Sequence, residues 1–196
     1  MRKISQAGVV LTAAALLLTV GVSPAMAAPQ DTTTDSTVTG GGLTTIVDGA
    51  TLTGVLLDGK TTQTATGTST QWSITDARGT GADWALSVTA TAPTSAAGTG
   101  VDTVARVLPV GSLTITPGAV GASAGADAVS AISAPELTMD GLAQTLVAAT
   151  GPQKGTYTLT PSFSLDIPAN AYRSNYAAAV DGALNPYTST LTYTIA

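Results

Sequence analysis

The sequence predicts an all-β protein: a single β-sandwich or barrel-like domain of short antiparallel strands, following a cleaved signal peptide. Three observations predict it. Apolar residues recur with a period of two in several short runs. Gly, Pro, Asn and Asp punctuate those runs. No long amphipathic helical pattern and no repeat of about 20–50 residues occurs, which disfavours bundles, solenoids and propellers.

Residues 1–27 have the three parts of an export signal. Arg2 and Lys3 form a positive start, residues 4–22 are rich in Ala, Leu and Val, and Ala25-Met26-Ala27 offers small residues for cleavage after Ala27. The most apolar stretch, 9–22, is shorter than the roughly 20 residues that span a bilayer. No later segment is long and apolar enough, so no membrane span is expected after cleavage. Residues 28–42 are polar and end in Gly40-Gly41-Gly42, which predicts a flexible lead-in. The β domain is expected over 43–196, long enough to bury a real core.

The strongest strand patterns are 71–76, where Trp72 and Ile74 share a face, and 84–90, where Trp84, Leu86, Val88 and Ala90 do. The glycine-rich 77–83 between them predicts a β-hairpin. Further strands are expected at 43–47, 51–57, 111–116, 155–167 and 187–195. The 155–167 run is long or bent, with Pro161 at an edge or bulge. Residues 92–100 and 117–128 read as loops. Residues 141–150 suit a short helix by their Ala and Leu and a strand by Thr145, Val147 and Thr150. The strand is favoured, paired with 155 onward through 151–154.

Composition excludes several functions. The chain is net −5, and losing Arg2 and Lys3 takes it to −7, without a basic patch, so neither nucleic acid nor an anionic membrane is an expected partner. Cysteine is absent, so burial and sheet hydrogen bonds must stabilise the fold. Histidine is absent too, which removes the commonest general base and metal ligand. No G-x-S-x-G elbow exists, and Lys60 and Lys154, the candidates for a Ser–Lys pair, sit among turn residues. Asp76 and Asp83 could approach as a carboxylate pair, but turn acids beside Arg78 explain them better. The acids are dispersed and form no calcium loop, although loop oxygens leave calcium open. No enzyme activity, cofactor or resident metal is expected. The aromatics have two readings, core packing or a platform that stacks on a ligand, and both apply to Trp72, Trp84, Tyr187 and Tyr193. The core is favoured for Trp84 and ligand contact for Tyr193.

The stretch Trp72-Ser73-Ile74-Thr75-Asp76-Ala77-Arg78-Gly79-Thr80-Gly81, followed by Trp84-Ala85-Leu86, resembles the first signature of the WxL-domain family of Gram-positive surface proteins. That signature is a strand ending in Asp-x-Arg-Gly-Thr-Gly, then Trp-x-Leu opening the next strand. Gly155-Thr156-Tyr157 and Leu165-Asp166-Ile167-Pro168 resemble the stretch before the second motif. Residues 187–195 resemble that motif itself, with Tyr193-Thr194-Ile195 where Trp-x-Leu is usual. The resemblance covers roughly 40–196, and 169–186 is longer than the family's link. It implies an extracellular domain at the cell wall or cell surface of a Gram-positive bacterium, attached non-covalently to peptidoglycan or another wall glycan, without catalysis. The chain ends without a sortase signal, in keeping with non-covalent attachment. A domain at net −7 is not drawn by charge to anionic wall polymers, so stacking, hydrogen bonds, a bridging cation or a protein partner must hold it. The candidate binding residues are Trp72, Asp76, Arg78, Trp84, Leu86, Tyr187 and Tyr193. The alternative reading is an interaction subunit that docks another surface protein through a strand edge. A secreted hydrolase ranks below both.

Overall fold

The period-two runs become strands in the computed structural model, which describes residues 34–178 and 182–196. The expected signal peptide, and the part of the lead-in before residue 34, lie outside the described residues. The chain divides into Met1–Thr37 and Val38–Ala196, and every strand belongs to the second unit. The strands are β1 (Leu43–Ile46), β2 (Gln63–Thr68), β3 (Trp72–Asp76), β4 (Trp84–Ala90), β5 (Thr94–Ser95), β6 (Arg106–Val107), β7 (Leu113–Thr116) and β8 (Gly121–Ala122). They continue as β9 (Ile132–Ser133), β10 (Leu137–Thr138), β11 (Gln144–Ala149), β12 (Gly155–Leu159), β13 (Ser162–Ile167), β14 (Asn175–Tyr176), β15 (Leu184–Asn185) and β16 (Leu191–Ile195). No α-helix occurs among the described residues, and no helix there is long and apolar enough to cross a membrane. The protein is all-β, built of packed antiparallel sheets in a sandwich-like arrangement.

One long ribbon organises the sheets. Residues 63–90 run antiparallel to 144–167: β2 pairs with β13, β3 with β12, and β4 with β11. The ribbon bends twice, so its three stretches lie in three different four-stranded sheets, ordered β10-β7-β13-β2, β1-β3-β12-β8 and β16-β4-β11-β9. On one side β7, β8 and β9 follow β13, β12 and β11 through the same bends. On the other, β1 lines β3 and β16 lines β4. The inward faces converge on one core that contains Trp72, Ile74, Trp84, Leu86, Tyr157 and Phe163.

This topology corrects both expected hairpins. Strands β3 and β4 do not pair with each other; 77–83 carries the chain from one sheet to the next. Nor does 151–154 join a hairpin, because β11 pairs with β4 and β9 while β12 pairs with β3 and β8. The reason is pairwise satisfaction. Each of these strands already has partners on both edges, and the two connections cross between sheets side by side. Their contact is direct: the Gly151 N–H donates to Asp83 Oδ1 at 2.7 Å, and Trp84 Nε1 donates to the Gln153 carbonyl at 3.1 Å.

Other expectations are refined. The 155–167 run is bent: Thr160 and Pro161 separate β12 from β13, yet Tyr157, Leu159, Pro161, Phe163, Leu165 and Ile167 all remain buried. Residues 141–150 contain a strand, β11, and not a helix. Residues 51–57 lie beside β2 without forming a regular strand, tied by the Thr53 N–H to the Thr66 carbonyl at 2.8 Å. Strand β2 itself was not expected, because QTATGT holds no large apolar residue to mark a face. The loops 92–100 and 117–128 each contribute a two-residue strand, β5 and β8. Gly40–Gly42 continue the β1 pairing, since the Gly41 N–H reaches the Ala77 carbonyl at 2.7 Å and the Ala77 N–H reaches that of Gly42 at 2.9 Å. A Cβ on Gly40 would run into the Arg78 carbonyl, so this glycine serves close backbone approach where free movement had been expected.

The described parts of the long 169–186 segment are fastened over 94–107. Asn175 is buried, and its Nδ2 donates to the carbonyls of Ala96 and Val104 at 3.0 and 2.8 Å. Arg173 pairs with Asp102 at 2.9 Å, and the same carboxylate accepts the Tyr176 N–H.

Gly155 tests how tightly the second crossover is seated. Its φ is +107°, and a Cβ there would lie 2.6 Å from Ala126 Cα. Gly59 also has positive φ, at +68°, but faces open space. Gly155→Ala should cost about 2–4 kcal/mol, from backbone strain and overpacking together, and Gly59→Ala about 1–2 kcal/mol from the backbone alone. Denaturation midpoints measure both. Equal losses would mean that the Ala126 loop yields freely.

Candidate functional site

The motif Asp76-Ala77-Arg78-Gly79-Thr80-Gly81 builds the first crossover. Asp76 ends β3 with its side chain wholly buried. The Arg78 backbone N–H and Nε donate to Asp76 Oδ1 at 2.9 and 3.0 Å, and Nη2 donates to Oδ2 at 2.9 Å. Nη2 also reaches the carbonyls of Ala82 and Asp83 at 2.9 and 3.2 Å. One guanidinium thus closes the loop onto its own base. The bonds from Arg78 hold the Asp76 carboxyl below the ordinary carboxylate range, against a burial effect that pushes it up. Gly79 and Gly81 take φ of +71° and +68°, the left-handed region the arch requires. Asp83 bonds Gly151 of the neighbouring crossover while Asp76 is paired with Arg78, so the two carboxylates have separate partners.

Six of the seven candidate binding residues belong to the fold's interior or to this arch. Trp72 and Leu86 are completely buried and Trp84 is 2 % exposed. None of the three offers a face to a ligand, because the sheets cross over them. Trp72 Nε1 donates to Ser69 Oγ at 2.9 Å, and Trp84 lies 5.9 Å from Tyr157, centroid to centroid. Asp76 and Arg78 close the crossover. Tyr193, expected from the sequence to contact a ligand, points inward and meets Trp72 edge-on at 5.0 Å. Its hydroxyl is buried with no hydrogen-bond partner among the described residues, and burial pushes its pKa far up. Tyr187 lines a cavity and donates its hydroxyl to the Tyr172 carbonyl at 2.9 Å.

That cavity is an apolar cleft of about 700 Å³. One wall is 50–57, the floor is the inner face of β2, β7 and β13, and the opposite wall comes from 172–174 and 184–189. Leu52, Leu57, Phe163, Leu165 and Ile167 make it apolar, and no Asp or Glu among the described residues lines it. A second recess, of about 270 Å³, lies on the outer face of β4 and β16. There Thr192 stands opposite Thr89 and Thr194 opposite Ser87, so four hydroxyls form a square array. Among the described residues no three acidic side chains converge into a metal-binding group. Sequence reasoning missed both places. The outward Thr and Ser of 87–89 and 192–194 were a usable signal, whereas the cleft depends on three distant segments meeting. Comparison with protein-family models, curated proteins and solved structures returns no match to this chain.

The buried polar groups give two expected outcomes. Folding lowers the Asp76 pKa, so its pairing stabilises the domain fully above the unfolded value of about 3.9 and is lost as pH falls toward the folded pKa. Asp76→Asn should therefore melt well below wild type at pH 7, with the gap narrowing below about pH 4; a gap constant from pH 7 to pH 3 would remove the carboxylate from this role. Tyr193→Phe deletes an unpartnered hydroxyl and should leave the denaturation midpoint unchanged or raise it. Tyr157→Phe, which deletes a hydroxyl donating to the Lys154 carbonyl at 3.0 Å, should lose about 0.5–1.5 kcal/mol. A destabilised Tyr193→Phe would mean that its hydroxyl is bonded in solution.

Proposed function

We propose that the protein is an exported, non-catalytic module of the WxL type that associates with the Gram-positive cell wall by lying against peptidoglycan. The motif supports this reading through its chemistry. Asp76, Arg78, Gly79, Gly81, Trp84 and Leu86 each have a distinct task in one sheet-to-sheet crossover, so a chain keeping that pattern keeps the architecture it serves. The sequence has neither His nor Cys, and Lys154 is engaged by Asp127 at 2.7 Å, which supports the non-catalytic reading.

The observation that carries the binding reading is the hydroxyl array on β4 and β16. A glycan strand is uncharged along much of its length and rich in hydroxyls and amides. Paired Thr and Ser side chains on a flat sheet face can donate to and accept from such groups without needing a charge of either sign. This suits an acidic protein, which an anionic wall would otherwise repel.

The exported protein should sediment with isolated peptidoglycan. Thr89→Val with Thr192→Val and Thr194→Val keeps shape while removing three hydroxyls. At about 1 kcal/mol per lost hydrogen bond, retention should fall about tenfold or more with little change in melting temperature. Protein that stays in the supernatant at every peptidoglycan concentration would refute wall binding, and undiminished retention of the triple variant would move the contact off this face.

A further inference from the structure

We propose that the apolar cleft is a docking groove for an extended, apolar segment of a partner polypeptide, laid along residues 54–57 with a carboxylate directed to Arg106. The site is separate from the hydroxyl array and does not depend on wall binding.

The main chain of the 50–57 wall points to an added strand. Thr53 makes the last backbone hydrogen bond to β2, and from Gly54 to Leu57 no N–H or carbonyl is bonded to any described residue. Four consecutive residues thus present free main-chain donors and acceptors along an apolar trough. Backbone groups need partners, and an added strand supplies them in series. Side chains on one face of that strand would enter the cleft, whose volume suits several aliphatic groups. An acyl chain would fill the same floor but leave the wall's main chain unserved.

Charge points to a carboxylate at one end. The chain as a whole is acidic, yet among the described residues no acid lines the cleft, Arg173 lines its Tyr172 end, and Arg106 lies beside that end, stacked on the Tyr172 ring. Arg173 is held by Asp102. Arg106 stacks over the Tyr172 ring at 4.0 Å and forms no ion pair with a described residue. Stacking fixes the plane of its fork and leaves the edge to bind a carboxylate in two-pronged fashion. The cleft mouth also exposes Leu56, Tyr172 and Leu184, large apolar groups at 89, 64 and 53 % exposure. A contiguous apolar rim of this kind marks a contact surface.

The test uses a fluorescein-labelled octapeptide of alternating Thr and Val with a free C-terminal carboxylate, its C-terminal amide, and an analogue N-methylated at alternate residues. Fluorescence anisotropy with the exported protein should give saturable binding of the acid peptide. The amide should bind about tenfold more weakly, as befits one lost charge-assisted pair, and the N-methylated analogue weaker still. Arg106→Gln should bring the acid peptide down to the affinity of the amide, and the peptide series reads the same interaction without altering the protein. No saturable binding of the acid peptide, equal binding of the N-methylated analogue, or capture of dodecanoate without capture of the peptide would each overturn the proposal. Loss of peptidoglycan retention in the Thr→Val variant with peptide binding intact would show that the two sites fail separately.

Discussion

The buried carboxylate of Asp76 governs how the sheets are joined. A charge taken out of water must be paired and fully bonded, or it costs more than a domain's margin of stability allows. Arg78 meets that demand from two residues away, and its remaining donor capacity reaches Ala82 and Asp83, at the start of the next strand. The ion pair therefore sets where β3 ends, how the chain turns and where β4 begins. Two glycines with positive φ make the turn possible. The Arg78 side chain is 25 % exposed, which lowers the desolvation cost of the pair.

The position of that arch propagates through strand pairing. Because β3 and β4 enter different sheets, the strands alongside them must bend at the same place, and β12 and β11 do so through 150–154. The two crossovers are bonded to one another by Asp83 and Trp84. The indole of Trp84 thus has two tasks, filling the interior beside Tyr157 and fixing one crossover to the other. Trp72 does the equivalent near the first bend, with Ser69 and the Asp48 carbonyl as acceptors. The two tryptophans of this chain stand where sheets change hands.

Conspicuous residues and surface chemistry divide the labour between them. The residues that stand out in the sequence serve the architecture, and the surface is left to hydroxyls and aliphatic side chains. The outward positions of β4 and β16 form a polar, uncharged array, while the 50–57 and 184–189 walls enclose an apolar trough. The stretch 169–178 matters to the second of these. By folding over 94–107 it brings Tyr172 beside Arg106 and raises the wall that makes a groove out of an open sheet face.

Local pattern along the chain is enough for the all-β class and for the strands at 72–76 and 84–90 with their inward faces, because alternation is a local property that the pleat converts directly into sidedness; residues 144–149 suit a helix as well as a strand, and a bulge between Thr145 and Val147 breaks their alternation. Local sequence brings Arg78 within reach of both Asp76 and Asp83, and the folded loop gives the guanidinium to the Asp76 carboxylate. Strand β2 was illegible, since its small polar residues reveal no face, and the run at 51–57 read as a strand although its main chain is largely unpaired. Strand partnership is a different matter, settled only when the whole chain comes together. A glycine-rich connection reads as a hairpin when its flanking strands are considered alone, but β3 and β4 each find two better edges among strands that lie far away in the chain. The same holds for the aromatics and the cleft. Period-two placement puts Trp84 and Tyr193 on a face, and only the closure of one sheet over another decides that this face is interior, while the groove exists because segments around residues 54, 165 and 187 are brought together by that closure.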